Sequence, residues 1–274
     1  MHPDLQRRVQ RYGWDKAAHV YEPYWREPLA VAQRQLLDWA ALRPGQRVAD
    51  VACGTGLVTL DAARAVGDTG EVVATDLSDA MVAATTAAAA REGLAHVTAL
   101  RADAEALPGP GEAFDVALCA LGLMYVPDPR RAMREMHRVL RPGGRAVAAV
   151  WGRRDRCGWA ELFSIVDHRV SSDVCPMFFQ LGGEGALERE FTEAGFADVE
   201  AVRLSTVLRY TSADDACGAA FLGGPVAMAY ARFDEPTRAE AHEEYLASIA
   251  EYRDGDGYAI PGEFVVARGI RPAG

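Results

Sequence analysis

The sequence lacks the cysteine spacings of the common metal and redox sites. Its five cysteines are an odd number, and no two of them form a Cys-x-x-Cys pair. Structural zinc sites and thioredoxin-like sites use that spacing. We therefore predict a reduced protein in which cysteines such as Cys53 and Cys119 serve as small apolar residues.

Clusters of positive charge are also missing. The 29 Lys and Arg residues are outnumbered by 39 Asp and Glu residues, which gives a net charge of −10. The densest basic cluster, Arg153, Arg154 and Arg156, is interrupted by Asp155. Binding of nucleic acid depends on clustered Lys and Arg that neutralise phosphates. We therefore expect no nucleic-acid partner.

No apolar run approaches the ~20 residues that are needed to cross a bilayer. Charged residues within the first ten positions are unlike a signal peptide. These two observations predict a cytoplasmic protein without a membrane span. A chain of 274 residues with 50% apolar content is long enough for one large domain with a substantial core.

What the chain does contain is a glycine turn after a short apolar segment. Val48 to Val51 is apolar apart from Asp50 and leads into Cys53-Gly54-Thr55-Gly56, after which Leu57 to Val66 has apolar residues at helical spacing. This order predicts a buried strand, a tight turn and a helix. Glycines let the backbone approach a ligand closely, and a helix start offers unpaired N–H groups.

A carboxylate follows at the position that nucleotide-binding βαβ units use. Glu71 to Thr75 predicts a second strand that ends at Asp76, about twenty residues after the first glycine, where such units place the acceptor for ribose hydroxyls. A dinucleotide fold would explain these features too. Its fingerprint requires a small third residue at position 59, however, and Thr59 stands there. The glycine pattern therefore argues against a dinucleotide.

Five motifs follow one another in the first half of the chain: Asp50-Val-Ala-Cys-Gly-Thr-Gly56, Ala74-Thr-Asp-Leu-Ser78, Ala102-Asp-Ala-Glu-Ala-Leu-Pro108, Phe114-Asp-Val-Ala-Leu118 and Val139-Leu-Arg-Pro-Gly-Gly144. In this order they resemble the class I S-adenosylmethionine-dependent methyltransferases. Gly122-Leu-Met-Tyr-Val-Pro-Asp128 is similar to the UbiE-type small-molecule subgroup. The resemblance covers residues 45 to 152 well and the remainder in outline.

The resemblance implies an α/β fold with a Rossmann-like, seven-stranded, mostly parallel sheet. Helices would cover both faces, the last strand would run antiparallel, and a helical insertion would precede it. Residues 1–43 would form an N-terminal helical lid, with helical segments at 14–21 and 28–39. Residues 44–274 would form the methyltransferase domain, in which segments 152–183 and 211–258 lie on the substrate side.

S-adenosylmethionine is the cofactor that the resemblance implies. Asp76 would accept from the ribose hydroxyls, Asp103 would accept from the adenine amino group, and Tyr12 or Tyr21 would donate to the methionine carboxylate. Asp103 could instead only cap the following turn. The full set of expected cofactor-binding residues is Tyr12, Tyr21, Asp50, Ala52, Gly54, Thr55, Gly56, Asp76, Leu77, Met81, Asp103, Ala104 and Ala120.

An apolar segment, Ala120 to Tyr125, follows the fourth predicted strand. DNA amino methyltransferases carry an Asn/Asp-Pro-Pro-Tyr/Phe motif there, and metal-dependent catechol methyltransferases carry acidic ligands; this chain has neither. We therefore expect an apolar wall beside the methyl group and no metal. The expected substrate-binding residues, which could equally be core filling, are Trp14, Met124, Tyr125, Trp151, Trp159, Met177, Phe178 and Phe179.

A general base would help if the acceptor atom is a hydroxyl oxygen, whereas a sulfur, carbon or nitrogen acceptor could react without one. His168, in a predicted helix over 160–170, and His19 are the candidates because imidazole titrates near neutrality. We predict metal-independent, in-line methyl transfer to a small hydrophobic or aromatic metabolite by a monomer or homodimer. A lyase or cyclase that retains the cofactor on the same fold and a protein methyltransferase are the alternatives.

Overall fold

The computed structural model describes residues 3–170 and 178–273, which form a mixed sheet surrounded by helices. The strands are β1 (Arg47–Val51), β2 (Glu71–Asp76), β3 (Val97–Arg101), β4 (Phe114–Ala120), β5 (Leu140–Trp151), β6 (Ala197–Tyr210), β7 (Arg253–Asp254) and β8 (Gly257–Ile270). Their order in the sheet is β3-β2-β1-β4-β5-β8-β6, and β7 pairs with β8 outside this path.

The direction of the strands confirms the predicted seven-stranded sheet. β3, β2, β1, β4 and β5 are parallel to one another. β8 runs antiparallel to both β5 and β6. The two-residue β7 is an eighth strand that the sequence pattern did not indicate, because so short a segment carries no alternation.

The helices are α1 (Pro3–Ala40), α2 (Leu57–Val66), α3 (Asp79–Arg91), α4 (Pro129–Val139), α5 (Glu161–Asp167), α6 (Ala186–Glu193), α7 (Ala213–Cys217), α8 (Ala227–Tyr230) and α9 (Glu235–Ser248). α2 and α3 pack on the β1–β3 half of the sheet, and α4 and α6 pack on the half that contains β4, β5, β6 and β8. Ser78 and Asp128 cap α3 and α4 with their side chains.

α1 is one helix of 38 residues, so the expectation of two separate segments was wrong. Pro23 and Pro28 lie inside it, and each proline removes one helical hydrogen bond. The helix continues because its buried residues recur every three or four positions after the first proline, at Trp25, Leu29, Ala32, Leu36 and Ala40. Packing of this stripe on the sheet outweighs the local cost of the prolines.

The glycine turn between β1 and α2 has the backbone geometry that its sequence predicts. Gly54 and Gly56 have φ angles of +58° and +92°, in the left-handed region that favours glycine. A Cβ added at Gly54 would meet no atom within 4 Å, whereas one at Gly56 would lie 3.0 Å from Thr85 Oγ1. The turn therefore leaves open space on one side and packs against α3 on the other.

Candidate functional site

A cavity lies at the carboxyl ends of the parallel strands. Its empty space, including the part open to solvent, is about 1200 Å³. Gly54, Asp76, Asp103 and Ala120 line it, and they follow or end β1, β2, β3 and β4. Residues that the sequence separates by up to 66 positions thus reach one cavity, because parallel strands end at the same edge of a sheet.

Asp76 is buried at the base of the glycine turn. One carboxylate oxygen, Oδ2, accepts the N–H of Gly54 at 2.9 Å, and the other, Oδ1, accepts the N–H of Ser78 at 2.9 Å. Burial raises the pKa of Asp76 to about 6, although the backbone donors act in the opposite direction. The side chain therefore fixes the turn and presents its carboxylate to the cavity.

Asp103 has two contacts that differ in kind. Its Oδ1 accepts the N–H of Glu105 at 2.9 Å, which is the turn cap that the sequence left open as an alternative. Its Oδ2 lies 2.7 Å from Arg7 Nε of α1. Arg7 also pairs with the Glu105 carboxylate, whose side chain is 3% exposed. The end of β3 is thus tied to the first turns of α1.

Further along α1, Arg11 and Asp15 are tied to the start of α3. Arg11 pairs with Asp79. Asp15 Oδ1 accepts the Ser78 hydroxyl at 2.6 Å and lies 3.2 Å from the Ala80 N–H, which it also accepts. We call Arg7, Arg11 and Asp15, with these partners, the α1 latch. The latch holds α1 across the ends of β2 and β3, so that this helix covers the carboxylate side of the cavity.

Aromatic rings form another part of the cavity lining. Six rings touch in sequence and all line the cavity: Trp14, Tyr125, Phe178, Trp159, Trp151 and Trp25. Neighbouring ring centroids in that order are 5.1, 5.5, 5.7, 4.8 and 6.2 Å apart. We call this set the aromatic arc. Its edge-to-face contacts are a favourable geometry for aromatic pairs.

Most of the cofactor-binding residues expected from the sequence lie on the cavity. The ones that line it are Tyr21, Ala52, Gly54, Asp76, Leu77, Met81, Asp103, Ala104 and Ala120. Tyr12, Asp50, Thr55 and Gly56 do not. Tyr12 is 50% exposed on the outside of α1.

Asp50 lies beneath the glycine turn, where its Oδ2 accepts the Thr59 hydroxyl at 2.6 Å. Burial raises the pKa of Asp50 to about 7. Thr59 therefore has a role in this fold that a small residue could not fill. Thr55 is buried and Gly56 packs on Thr85. These two residues therefore shape the turn without lining the cavity.

The two histidines selected as candidate bases do not line the cavity, and we correct that assignment. His168 is exposed and caps the carboxyl end of α5. His19 is exposed and lines a separate shallow groove between α1 and α8, beside Lys16 and Arg238. Neither imidazole is placed to reach an acceptor in the cavity.

The substrate-binding set divides in a similar way. Trp14, Met124, Tyr125, Trp151, Trp159 and Phe178 line the cavity. Phe179 instead packs behind the arc, with its ring centroid 4.8 Å from that of Phe178 and 5.7 Å from that of Trp159. Met177 lies outside the described residues.

Sequence reasoning missed several residues that line the cavity, notably Arg7, Trp25, Tyr210, Gly223 and Tyr245. The spacing of Arg7 and Arg11 by one helical turn was a usable signal, since it places both on one face of α1. Tyr245 lies in segment 211–258, which was expected on the substrate side, but it was not selected as a site residue. No local pattern distinguishes Tyr210 or Gly223 from ordinary strand and loop residues.

Comparison with known proteins agrees with this geometry. A family model described as a methyltransferase domain matches residues 48–144. The demethylmenaquinone methyltransferase of Geobacillus kaustophilus is 30% identical over 225 residues, which are 73% of this chain and 93% of that protein. The UbiE ubiquinone/menaquinone biosynthesis C-methyltransferase of Shewanella frigidimarina is 41% identical over 116 residues. That match spans 42% of this chain and only 46% of the relative.

Among solved structures, geranyl diphosphate C-methyltransferase of Streptomyces coelicolor A3(2) superposes with a TM-score of 0.53 at 18% identity. The match covers 88% of this chain and 79% of that one, and it shows a common fold. Together with the near full-length match to the Geobacillus protein, the shared fold and family model lead to one assignment. The chain belongs to the class I S-adenosylmethionine-dependent methyltransferases of the UbiE type.

Proposed function

We propose that this protein transfers the methyl group of S-adenosylmethionine to a small, neutral, aromatic or hydrophobic acceptor. The observation that carries the proposal is that one cavity joins two different ends. The cavity is lined by Gly54, Asp76 and Asp103, which we call its cofactor end, and by the aromatic arc, which we call its acceptor end. An adenosyl group needs polar acceptors and close backbone approach, whereas an apolar acceptor needs aromatic walls.

The residues at the first end fit the cofactor. Gly54 offers backbone that a Cβ would not crowd, and Asp76 is a buried carboxylate beside it. Asp76 would accept from the ribose hydroxyls, Asp103 from the adenine amino group, and Tyr21 would donate to the methionine carboxylate. When bound, S-adenosylmethionine supplies a sulfonium-activated methyl group, which a nucleophilic atom takes while the C–S bond pair remains on sulfur as a thioether.

The chain's own contribution is to position the acceptor and to exclude water. Holding reacting atoms about 3–3.5 Å apart and in line can lower a barrier by roughly 7–11 kcal/mol. The arc supplies flat walls for such positioning. α1, held by the α1 latch, would act as a lid over the cofactor end and shield it from solvent.

The residues that line the cavity give little support for a protein group that removes a proton from the acceptor. Burial raises the pKa of the Tyr21, Tyr210 and Tyr245 phenols, so these groups stay protonated and act as hydrogen-bond donors. Within residues 3–170 and 178–273, no histidine lines the cavity and no group of three or more His, Cys, Asp or Glu residues could hold a metal ion. We therefore propose an acceptor whose nucleophilic atom needs no protein base or metal.

The names of the relatives suggest which acceptor to test first. The Shewanella and Geobacillus proteins are named for ubiquinone, menaquinone and demethylmenaquinone, so an aromatic quinol-type acceptor is consistent with the aromatic arc. The closed α1 latch favours a small molecule over a protein side chain. In the part of the chain that the structure describes, no helix has the length and apolarity to span a membrane.

Calorimetric titration with S-adenosylmethionine and S-adenosylhomocysteine tests the proposal directly. We expect saturable binding of both at one site per chain. A protein that binds neither would refute the proposed cofactor. Tight binding without release of S-adenosylhomocysteine in the presence of any aromatic acceptor would favour a lyase or cyclase that retains the cofactor.

Cofactor affinity should depend on pH through Asp76. Because the pKa of Asp76 is raised to about 6, a ligand that binds its ionised form must displace a proton below pH 6. The association constant for S-adenosylhomocysteine should therefore stay level above pH 7 and fall below pH 6, by at most about tenfold per pH unit. Calorimetry between pH 5 and about pH 8 measures the profile.

Two variants test whether the Asp76 carboxyl causes this pH dependence of the affinity. Asp76→Asn should flatten it, and Asp50→Asn should leave it in place, because Asp50 does not line the cavity. A profile that disappears in Asp50→Asn and persists in Asp76→Asn would overturn the assignment.

The α1 latch should control how long the cofactor stays bound. Arg7→Gln removes the charge that pairs with Asp103 and Glu105. The Arg7 side chain is 23% exposed, so solvent weakens these pairs, and we expect S-adenosylhomocysteine to dissociate about 3- to 10-fold faster. Stopped-flow displacement measures the rate. Arg8→Gln, an exposed neighbour on the same helix, is the control and should leave the rate unchanged.

A further inference from the structure

The groove between α1 and α8 is a second concave surface, and it shares no lining residue with the cavity. Its empty space, including the part open to solvent, is about 850 Å³. Lys16 and His19 line it from α1, and Arg238 lines it from α9. The groove therefore lies between the helix that covers the cofactor end and the helical segment before β8.

Positive charge exceeds negative charge in this groove, although the protein as a whole is acidic. Among the described residues that line it, Lys16 and Arg238 are cations, His19 becomes one when protonated, and Asp15 is the single carboxylate. Asp15 Oδ1 already accepts the Ser78 hydroxyl at 2.6 Å, as part of the α1 latch. Lys16 is the only lysine in a chain whose net charge is −10. An anion is therefore attracted to this groove and repelled by most of the remaining surface.

Arg238 is held at the groove by an aromatic stack. Its guanidinium carbon lies 5.0 Å from the centre of the Tyr230 ring. That ring is stacked on the His242 imidazole at an interplanar angle of 9°, and its hydroxyl oxygen lies 2.9 Å from His242 Nε2. Arg238 Nε is buried and has no hydrogen-bond partner among the described residues. A buried cationic donor without a partner is unfavourable, and an anionic oxygen is its strongest partner.

The remaining lining of the groove is largely apolar. Val20, Leu222, Ala227 and Ala231 contribute to it. Leu222 is 43% exposed, which is unusual for a large apolar side chain in this protein. A ligand with an apolar portion would cover these side chains and remove their surface from water, which is favourable. An inorganic anion would leave them exposed.

We propose that this groove binds an organic carboxylate with a short apolar chain. Lys16, His19 and Arg238 hold the carboxylate, and Leu222 and its apolar neighbours hold the chain. Two permanent cations opposed by one carboxylate match a singly charged group better than a doubly charged one. The bound ligand connects α1 to α9. This site is additional to the proposed methyl transfer and does not depend on it.

The single lysine provides a site-specific test. Acetylation of the Lys16 ε-amine by an N-hydroxysuccinimide ester is followed by mass spectrometry, with the terminal α-amine as an internal reference. Octanoate should slow acetylation of Lys16 about 3- to 10-fold and leave the α-amine unaffected. Octanol, which has the chain without the charge, and acetate, which has the charge without the chain, should protect Lys16 much less at the same concentration.

Calorimetry with octanoate tests the cations separately. Lys16→Gln and Arg238→Gln should each weaken octanoate binding about 3- to 10-fold, since both side chains are partly solvated and solvent reduces the strength of such pairs. Arg232→Gln is the matched control, because Arg232 is exposed close to Arg238 in the chain and does not line the groove. This control removes the same charge and should bind octanoate as the unaltered protein does.

Each contrary result has a definite meaning. Equal protection of Lys16 by octanoate and octanol would show that charge does not matter and would overturn the proposal. Absence of protection by octanoate, or unchanged octanoate binding in both groove variants, would place the ligand elsewhere and would overturn it too. An equal loss in Arg232→Gln would reduce the effect to the net charge of the protein.

Discussion

Trp151→Ala should lower the free energy of unfolding by about 3–5 kcal/mol, the range for a large aromatic side chain removed from a core. Trp151 is 3% exposed and lies at the end of β5. Its ring centroid is 4.8 Å from that of Trp159 and 4.1 Å from that of Phe264 on β8. The substitution therefore leaves a void between the sheet and the aromatic arc.

Urea denaturation followed by far-ultraviolet circular dichroism measures this loss. Trp39→Ala is the matched control, because Trp39 is only partly buried on α1 and its ring packs under Arg268. The control should lose less than half as much stability. Equal losses of unfolding free energy in the two variants would mean that Trp151 contributes no more to stability than a partly buried tryptophan.

Trp151→Ala should also affect ligand binding at the two ends of the cavity differently. The cofactor end is built from the β1, β2 and β3 termini, whereas Trp151 ends β5, which pairs with β4 and β8. We therefore expect the folded variant to bind S-adenosylhomocysteine with little change, while it loses binding of a neutral aromatic probe such as the bicyclic ketone chromone. Simultaneous loss of both at a temperature where the variant is folded would contradict this division.

Asp76→Ala should weaken binding of S-adenosylhomocysteine about 10- to 100-fold, as expected when buried polar partners are lost. The substitution removes the proposed acceptor for the ribose hydroxyls. It also leaves the N–H groups of Gly54 and Ser78 without the oxygens that they now contact at 2.9 Å. Both effects reduce affinity, because the free turn must be reordered when the ligand binds.

Calorimetry on Asp76→Ala, Asp76→Asn and Asp256→Ala distinguishes these contributions. Asn keeps one oxygen and should show a smaller loss than Ala. Asp256 is exposed beside β7, so its substitution should have no effect. Unaltered affinity in Asp76→Ala would remove this carboxyl from the cofactor site.

The features that the sequence predicted correctly are local ones. The strand, glycine turn and helix over residues 47–66 were recognisable because apolar spacing and glycine act over a few residues. Local reasoning went wrong in α1, where it predicted separate helical segments at 14–21 and 28–39. The buried stripe that joins them has its effect only when the sheet is present.

The site residues also divide into those that local sequence features indicated and those that depend on tertiary packing. Asp76 and Asp103 each end or follow a strand, so the sequence was sufficient to place them on one edge of a parallel sheet. His168 was selected for its chemistry alone, and the orientation of α5 leaves it exposed on the surface. Tyr210 and Tyr245 carry no local signal, because β6 and α9 reach the cavity from 35 residues apart in the chain.

The sequence by itself determined the glycine turn and the position of Asp76 after the second strand, because neighbouring residues specify them. The parallel sheet followed from the resemblance of five motifs to a known family. Only the tertiary structure decided which side chains close the cavity and which face its acceptor end. The Arg7 and Glu105 pair joins residues 98 positions apart, and the aromatic arc joins Trp14 to Trp159. Such contacts depend on how whole elements pack, and no short stretch of sequence contains that information.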